Sequence, residues 1–292
     1  MALVFKKISV IGLGLIGTSI LHAINAKEDK DIVTLAYDIN PDHRDVVLKM
    51  NIASFVFSKI EDAIKDADLI ILSIPVGSMS DVAKLIAPFL KKYAVITDTG
   101  STKQSVIKDV TPHLPNNVYF IPSHPLAGTE YSGPKSGFGT LFENRYWLII
   151  SDKETKQTKQ LRSFFIKLGS LVETINMSYH DRILAITSHL PHLIAYTIVG
   201  TASDLETDLK NDVIKFSASG FRDFTRIASS DPIMWRDIFI HNSDAVLEML
   251  QRFNEDLSDL QKAIRKKDGK KLHSFFSRTR LIRKKIIDAG QS

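Results

Sequence analysis

Apolar residues in this chain come first as short continuous runs and later at helical spacing, and the change falls near residue 176. Ile8, Val10 and Ile11 make a run suited to a parallel strand buried on both faces. Comparable runs follow at Ile32–Tyr37, Ser54–Phe57, Asp68–Pro75, Ala94–Asp98, Val118–Pro122, Arg145–Ser151 and Leu171–Asn176. Between them lie helix-compatible stretches at Thr18–Ala26, Ile60–Lys65, Ser78–Leu90, Lys103–Thr111 and Thr155–Leu168. This alternation predicts an α/β fold, a doubly wound and mostly parallel sheet with ligands at the carboxyl ends of its strands. Ser123–Asn144 has little periodicity and many glycine, proline and polar residues, which predicts a long functional loop.

Beyond residue 177 the strand signal vanishes. His180–Ala202 is apolar nearly all round, which predicts a buried helix kinked at Pro191. Val246, Leu250, Phe253, Leu257, Leu260 and Ile264 then repeat at the spacing of a bundle seam. Asp268-Gly269 breaks that pattern, and a last helix carries Leu272, Phe275, Phe276, Ile282 and Ile286. The pattern divides the chain into a domain over residues 1–176 and an all-helical domain over 177–292. A small helical domain cannot enclose a helix that is apolar all round, so a homodimer is expected.

Composition narrows the function. With 292 residues and no cysteine, disulfides, thiolate metal sites and a cysteine nucleophile are excluded. The first strand follows the N-terminus without a signal-like apolar segment, and no uninterrupted apolar run has membrane-spanning length, so a cytoplasmic protein is expected. The net charge of +5 suits an anionic small substrate. Arg265-Lys266-Lys267 and Arg283-Lys284-Lys285 read as solvated helix faces, with no nucleic-acid or membrane partner expected.

Gly12-Leu13-Gly14-Leu15-Ile16-Gly17 follows the first strand and opens the first helix. In such a turn the first glycine permits the tight bend, the second admits a pyrophosphate and the third lets helix and strand pack closely. Asp38 ends the second strand about 20 residues further on, where a carboxylate accepts the adenosine ribose hydroxyls. Ile39 and Asn40 follow, with no arginine for a 2′-phosphate, so the cofactor expected is NAD rather than NADP. Ser73, Pro75 and Asp98, at the ends of later strands, are further coenzyme-lining candidates.

Four groups carry possible chemistry. Asp98-Thr99-Gly100-Ser101-Thr102-Lys103 closes a strand and opens a helix, with Ser101 or Thr102 as the expected N-cap. His124, in Ser123-His124-Pro125-Leu126-Ala127-Gly128-Thr129-Glu130, stands where a strand meets the irregular segment, placed to take a hydroxyl proton. His189 and His192 share a helix face; without a third ligand nearby, substrate contact is favoured over metal. Arg226 suits bidentate binding of a carboxylate, with Asp223 near enough in sequence to hold its guanidinium.

GLGLIG, DTGSTK, SHPLAGTEYSG, SHLPH and GFRDFTRIASSDPIMWRDI together resemble the prephenate/arogenate dehydrogenase family, in the family's order and over almost the whole chain, from Gly12 to Trp235. The resemblance implies a Rossmann domain followed by a helical dimerisation domain. It further implies NAD-dependent oxidative decarboxylation of prephenate to 4-hydroxyphenylpyruvate in tyrosine biosynthesis, with arogenate as the alternative substrate. By family pattern His124 matches the catalytic histidine, with Ser101 an adjoining active-site hydroxyl. Thr129 and Glu130 match residues at the substrate entrance, and His189 and His192 match substrate-side histidines. Arg226 matches the carboxylate-binding arginine, with Asp223 and Trp235 nearby. Thr102 stands where the family commonly has valine. A β-hydroxyacid dehydrogenase would need a substrate-side lysine motif that is not apparent. A non-enzymatic NAD sensor would have no use for the histidine and arginine together.

Overall fold

The computed structural model describes residues 4–27, 31–205 and 212–288, and by packing it divides into one unit ending at Ser243 and another beginning at Asp244. In the larger unit β1 (Lys7–Ile11), β2 (Val33–Tyr37), β3 (Phe55–Val56), β4 (Leu69–Leu72), β5 (Val95–Asp98) and β6 (Tyr119–Phe120) form one all-parallel sheet. Its order is β3-β2-β1-β4-β5-β6, the doubly wound arrangement expected for dinucleotide binding. The strand order reverses between β1 and β4, which places the ligand crevice at the carboxyl ends of those two strands.

Both sheet faces are covered, which is why the strands read as continuous apolar runs. On one face α1 (Leu15–Asn25) and α2 (Pro41–Met50) pack with Val10, Leu69, Ile71 and Val95. On the other, α3 (Ile60–Ile64), α4 (Met79–Ile86) and α5 (Gln104–Val110) cover Ile11, Ile70, Leu72 and Ile96. Asn40 caps α2 by accepting from Asp42 N at 2.9 Å, and Pro41 follows it at the first helical position.

The strand expected to reach Pro122 stops at Phe120, and the expected loop begins with a further strand, β7 (Ser123–Pro125). Pro122 has no N–H to continue the first ladder. After it the chain joins a second sheet of order β7-β8-β9, with β8 (Tyr146–Ile150) antiparallel to β7 and β9 (Leu171–Ile175) parallel to β8. Trp147 of β8 stacks on Phe165 of α6 (Lys156–Lys167) with ring centroids 3.8 Å apart, and meets Phe142 at 4.9 Å.

Beyond β9 every regular element among the described residues is helical. The single helix expected over His180–Ala202 is instead α7 (Met177–Leu184), a π-helical turn at Ala185–His189 and α8 (Leu190–Ser203). Pro191 cannot donate to the preceding turn, and the wider turn accommodates its missing bond. Ile186 and Ile198 are exposed, so this segment is not enclosed by its own chain. By length and composition Met177–Ser203 reaches membrane-spanning size as a helix, although polar residues interrupt its apolar runs. His180, Asp181 and His189 on it are nonetheless buried and bonded to the chain's own groups. The unit continues with α9 (Ser219–Ile227) and α10 (Pro232–His241). The expected seam lies on α11 (Ser243–Arg265), where Leu257 and Ile264 are exposed, and the last helix is α12 (Gly269–Asp288).

The turn after β1 separates the roles of its glycines. Gly12 has φ +94°, and a methyl built on it would lie 2.2 Å from Ser73 O. One built on Gly17 would lie 1.9 Å from Gly12 O, whereas one built on Gly14 meets nothing within 4 Å. Gly17→Ala is therefore expected to destabilise the fold by about 2 kcal/mol or more. Gly14→Ala is expected to lose no more than about 1 kcal/mol, as a change at a helix N-cap, yet to weaken NADH binding because its methyl enters the open space. Thermal melts and a fluorescence titration with NADH check both; a Gly14→Ala protein binding like wild type would refute the assignment.

Candidate active site

At the end of β2 the Asp38 carboxylate accepts from Leu13 N at 2.7 Å, Asn40 N at 2.8 Å and His43 Nδ1 at 3.2 Å. It thus ties the glycine turn to the neighbouring strand. Residues 39 and 40 supply no arginine, but α2 brings Arg44 back to the same corner. Its Nη1 donates to the carbonyls of Asp38 at 2.7 Å and Ile39 at 3.1 Å. The guanidinium is anchored on main chain, and the Asp38 carboxylate stays an acceptor, as ribose hydroxyls require. Ser73 lies beneath Gly12 and receives a bond from Thr99 Oγ1 at 3.2 Å, and Pro75 is exposed just beyond β4. The bend at Gly12, the open face of Gly14 and the carboxylate of Asp38 together fit a dinucleotide.

His124 sits in β7, opposite Leu148 and 7% exposed. Its Nδ1 lies 2.9 Å from Nε2 of His180, whose own Nδ1 lies 2.7 Å from Asp181 Oδ1. Burial first, then the neighbouring His180 and Lys103, hold the His124 imidazole well below the usual histidine range. Burial also lowers His180, against the opposing hydrogen bond to Asp181. Burial would raise Asp181, but hydrogen bonds from His180, Gln104 and Lys103 outweigh it and keep the carboxyl low and ionised. The result is a buried chain of two neutral imidazoles ending on a carboxylate.

The turn after β5 lies beside this chain. Lys103 is fully buried, and its Nζ donates to Asp98 Oδ2 and, at 2.8 Å, to Ser123 O. Burial lowers the Lys103 ammonium, and Asp98 opposes that shift. Asp98, expected to line the coenzyme crevice, is itself fully buried and turned inward, also accepting from Gly100 N at 2.8 Å and Ser123 N at 3.2 Å. Neither Ser101 nor Thr102 caps α5: the N-cap position is Lys103, without a capping side chain of its own. Asp181 fills that role from a distant part of the sequence, accepting from Lys103 N at 2.8 Å and Gln104 N at 2.9 Å. The main-chain donors at this helix start are therefore taken by the chain's own carboxylate. Ser101 remains partly exposed at this turn.

On the helical side, the π turn places His189 in the interior, where Asn242 Nδ2 meets its Nδ1 at 3.1 Å and also donates to Asp181 O at 3.0 Å. Burial, with a smaller contribution from His180, pushes His189 down to about 4. His192 stacks on Trp235 at a centroid distance of 3.7 Å, and Trp235 meets His189 edge-on at 6.1 Å. Burial lowers His192, and the Arg226 charge adds to that, which places Arg226 within electrostatic reach. His189 Nε2 and Trp235 Nε1 are buried without a partner among the described residues. Asp223 does not hold Arg226: no ion pair joins them among the described residues, and both are exposed on α9. Thr129 is exposed and Glu130 half-buried in the segment after β7, which is tied to α1 where Phe138 N donates to Ser19 Oγ at 3.1 Å. No cluster of side chains suited to a metal occurs among the described residues.

Sequence reasoning missed His180, Asp181, Lys103 and Asn242. A histidine and an aspartate side by side in an otherwise apolar helix were the available signal, since a buried polar residue is the informative exception.

Residues 22–174 match the nucleotide-binding domain of prephenate dehydrogenase, and residues 176–278 match its dimerization domain. The glycine turn lies ahead of the matched segment, so its reading rests on the geometry above. The chain is 40% identical over 282 residues to a cyclohexadienyl dehydrogenase of Zymomonas mobilis, covering 96% of each. It is 33% identical over 281 residues to a Lactococcus lactis prephenate dehydrogenase, covering 95% of this chain and 77% of that one. Among solved structures, Aquifex aeolicus prephenate dehydrogenase in complex with hydroxyphenyl propionate and NAD+ superposes with a TM-score of 0.88 at 29% identity, covering 98% of this chain and 100% of that one. With both domains matched in order along the chain, it belongs to the prephenate dehydrogenase family and is an NAD-dependent oxidoreductase.

Proposed function

We propose that the protein oxidatively decarboxylates prephenate to 4-hydroxyphenylpyruvate, with His124 as the acceptor for the ring hydroxyl. The observation that carries this reading is the neutral, buried His124 whose Nδ1 is engaged by His180, leaving Nε2 to face a substrate. Bound NAD supplies the hydride acceptor, held by Gly12, Gly14, Leu15, Ile16, Gly17 and Asp38 with Ser73 and Pro75 alongside. As hydride leaves the hydroxyl-bearing carbon, the hydroxyl leans its proton on His124 Nε2, which stabilises the developing carbonyl character. Loss of carbon dioxide from the opposite ring carbon then restores aromaticity, and the proton stays with the phenol. Ser101 adjoins this hydroxyl. Arg226 binds a substrate carboxylate, and His189, His192 and Trp235 shape the same side, with Thr129, Glu130 and Asp223 at its entrance. The name of the Zymomonas mobilis relative favours a second reading in which arogenate is also oxidised.

Residues 177–292 serve in this reading as the substrate and dimerisation domain. The exposed Ile186 and Ile198, and Leu257 and Ile264 on α11, support a homodimer. Light scattering at micromolar concentration is expected to give twice the chain mass; a monomeric mass would reject the dimer.

With NAD and prephenate, formation of NADH is the assay. His124→Asn is expected to lower kcat by about 10²–10⁴-fold with little change in KM, and Arg226→Ala chiefly to raise KM. Equal turnover for the first, or an unchanged KM for the second, would remove that residue from its role. Running arogenate in parallel measures the preference between the two substrates.

Stability carries a pH signature. His189 titrates near 4 in the folded chain, against about 6.5 when unfolded. Between those values the unfolded chain holds a proton that the folded chain refuses. The stabilisation is therefore fully present above about pH 6.5 and lost as pH falls toward 4, by about 3 kcal/mol. Urea midpoints at pH 7.5 and 4.5 should show the loss, and His189→Asn should reduce it, with His124 and His180 contributing the remainder in the same sense; an Asn variant with the full wild-type dependence would count against it.

A further inference from the structure

Asp181 is 1% exposed, and its carboxylate accepts three bonds: Lys103 N and His180 Nδ1 at Oδ1, and Gln104 N at Oδ2. An ionised carboxylate can only accept. The proton on His180 must therefore sit on Nδ1, and Nε2 of that neutral ring is a lone pair. His124 Nδ1, 2.9 Å away, must then be the donor in the bond between the rings. It follows that Nε2 of His124 is unprotonated. The state of the ring that meets the substrate is thus decided two side chains away.

We propose that Asp181 is the positioning residue of the active site: the carboxylate that closes α5 also fixes, through His180, the tautomer in which His124 can accept a proton. This rests on the reading of His124 as the proton acceptor. The two duties are linked because Oδ1 serves both the main chain of the turn after β5 and the His180 ring. Asn242 holds the same residue by its carbonyl, so Asp181 is fixed from main chain and side chain together.

An amide in place of this carboxylate cannot accept on both sides. Where its NH2 faces His180, it donates to Nδ1, moves the His180 proton to Nε2 and reverses the bond to His124. His124 then carries its proton on Nε2 and is lost as an acceptor. The comparable change in a serine-protease triad keeps the geometry and lowers kcat about 10⁴-fold through the wrong tautomer.

The test begins with wild-type protein carrying ¹⁵N-histidine and bound NAD, in which the non-protonated nitrogen of His124 is expected at Nε2. Finding it at Nδ1 overturns the proposal without any variant. In Asp181→Asn the non-protonated nitrogen is expected to move to Nδ1, with kcat down about 10²–10⁴-fold and KM within threefold. His180→Phe leaves the cap on α5 in place and is expected to lower kcat comparably. The double variant should be no slower than the slower single one, because both act through one bond. A His180→Phe protein with wild-type kcat would make Asp181 a helix cap alone, and additive losses in the double variant would do the same. Failure of the underlying reading is distinguishable: His124→Asn would then turn over normally, whatever the tautomer proves to be.

Discussion

A lysine ammonium with no access to water organises the junction of the two sheets of this protein. Removing the partner of a buried charge typically destabilises by about 3–5 kcal/mol, so the chain around Lys103 is constrained to surround it with acceptors. Asp98, at the end of β5, and the carbonyl of Ser123, at the start of β7, are those acceptors. Ser123 in turn donates its hydroxyl to Asp98 O at 2.8 Å and receives Trp147 Nε1 at 2.9 Å. The two sheets meet at this point, and the next residue is His124. The position of the imidazole is thus fixed by groups packed to satisfy one cation.

Packing and chemistry share the same side chains here. Trp147 is fully buried between Phe142 and Phe165, and its one polar atom is aimed at Ser123. The aromatic layer that seats the second sheet on α6 therefore also steadies the residue preceding His124. On the opposite side, burial keeps His124, His180 and His189 neutral, a state useful only because Asp181 and Asn242 supply the hydrogen bonds that water would otherwise make.

What was legible in the sequence was local. The continuous apolar runs of β1, β2, β4 and β5 mark strands covered on both faces, and the spacing from Gly12 to Gly17 and on to Asp38 marks the dinucleotide turn. His124, Arg226 and the histidines of SHLPH stood out by residue type and setting. The hydrogen-bonded chain behind His124 did not, because its members are joined across the fold: Asp181 reaches Lys103 and Gln104, and His180 reaches His124, over separations that no local pattern encodes. For the same reason Ser101 and Thr102 looked like caps, as short polar side chains before a helix ordinarily are, when a better acceptor arrives from α7. The strand carrying His124 was hidden by its three-residue length, by Pro125 within it and by Pro122 just before it.

The π-helical turn at Ala185–His189 acts as a rotary offset in an otherwise continuous rod. An α-helix advances about 100° per residue, so one extra residue in a single turn re-aims everything that follows. His180 and Asp181 lie before the offset, and His189 and His192 after it. Asn242 bridges the two sides by holding Asp181 O and His189 Nδ1 at once. Lineages that trimmed one residue from this turn would keep His180, Asp181, His189 and His192 but lose their common aim, whereas an insertion paired with a deletion between the two sets would conserve it.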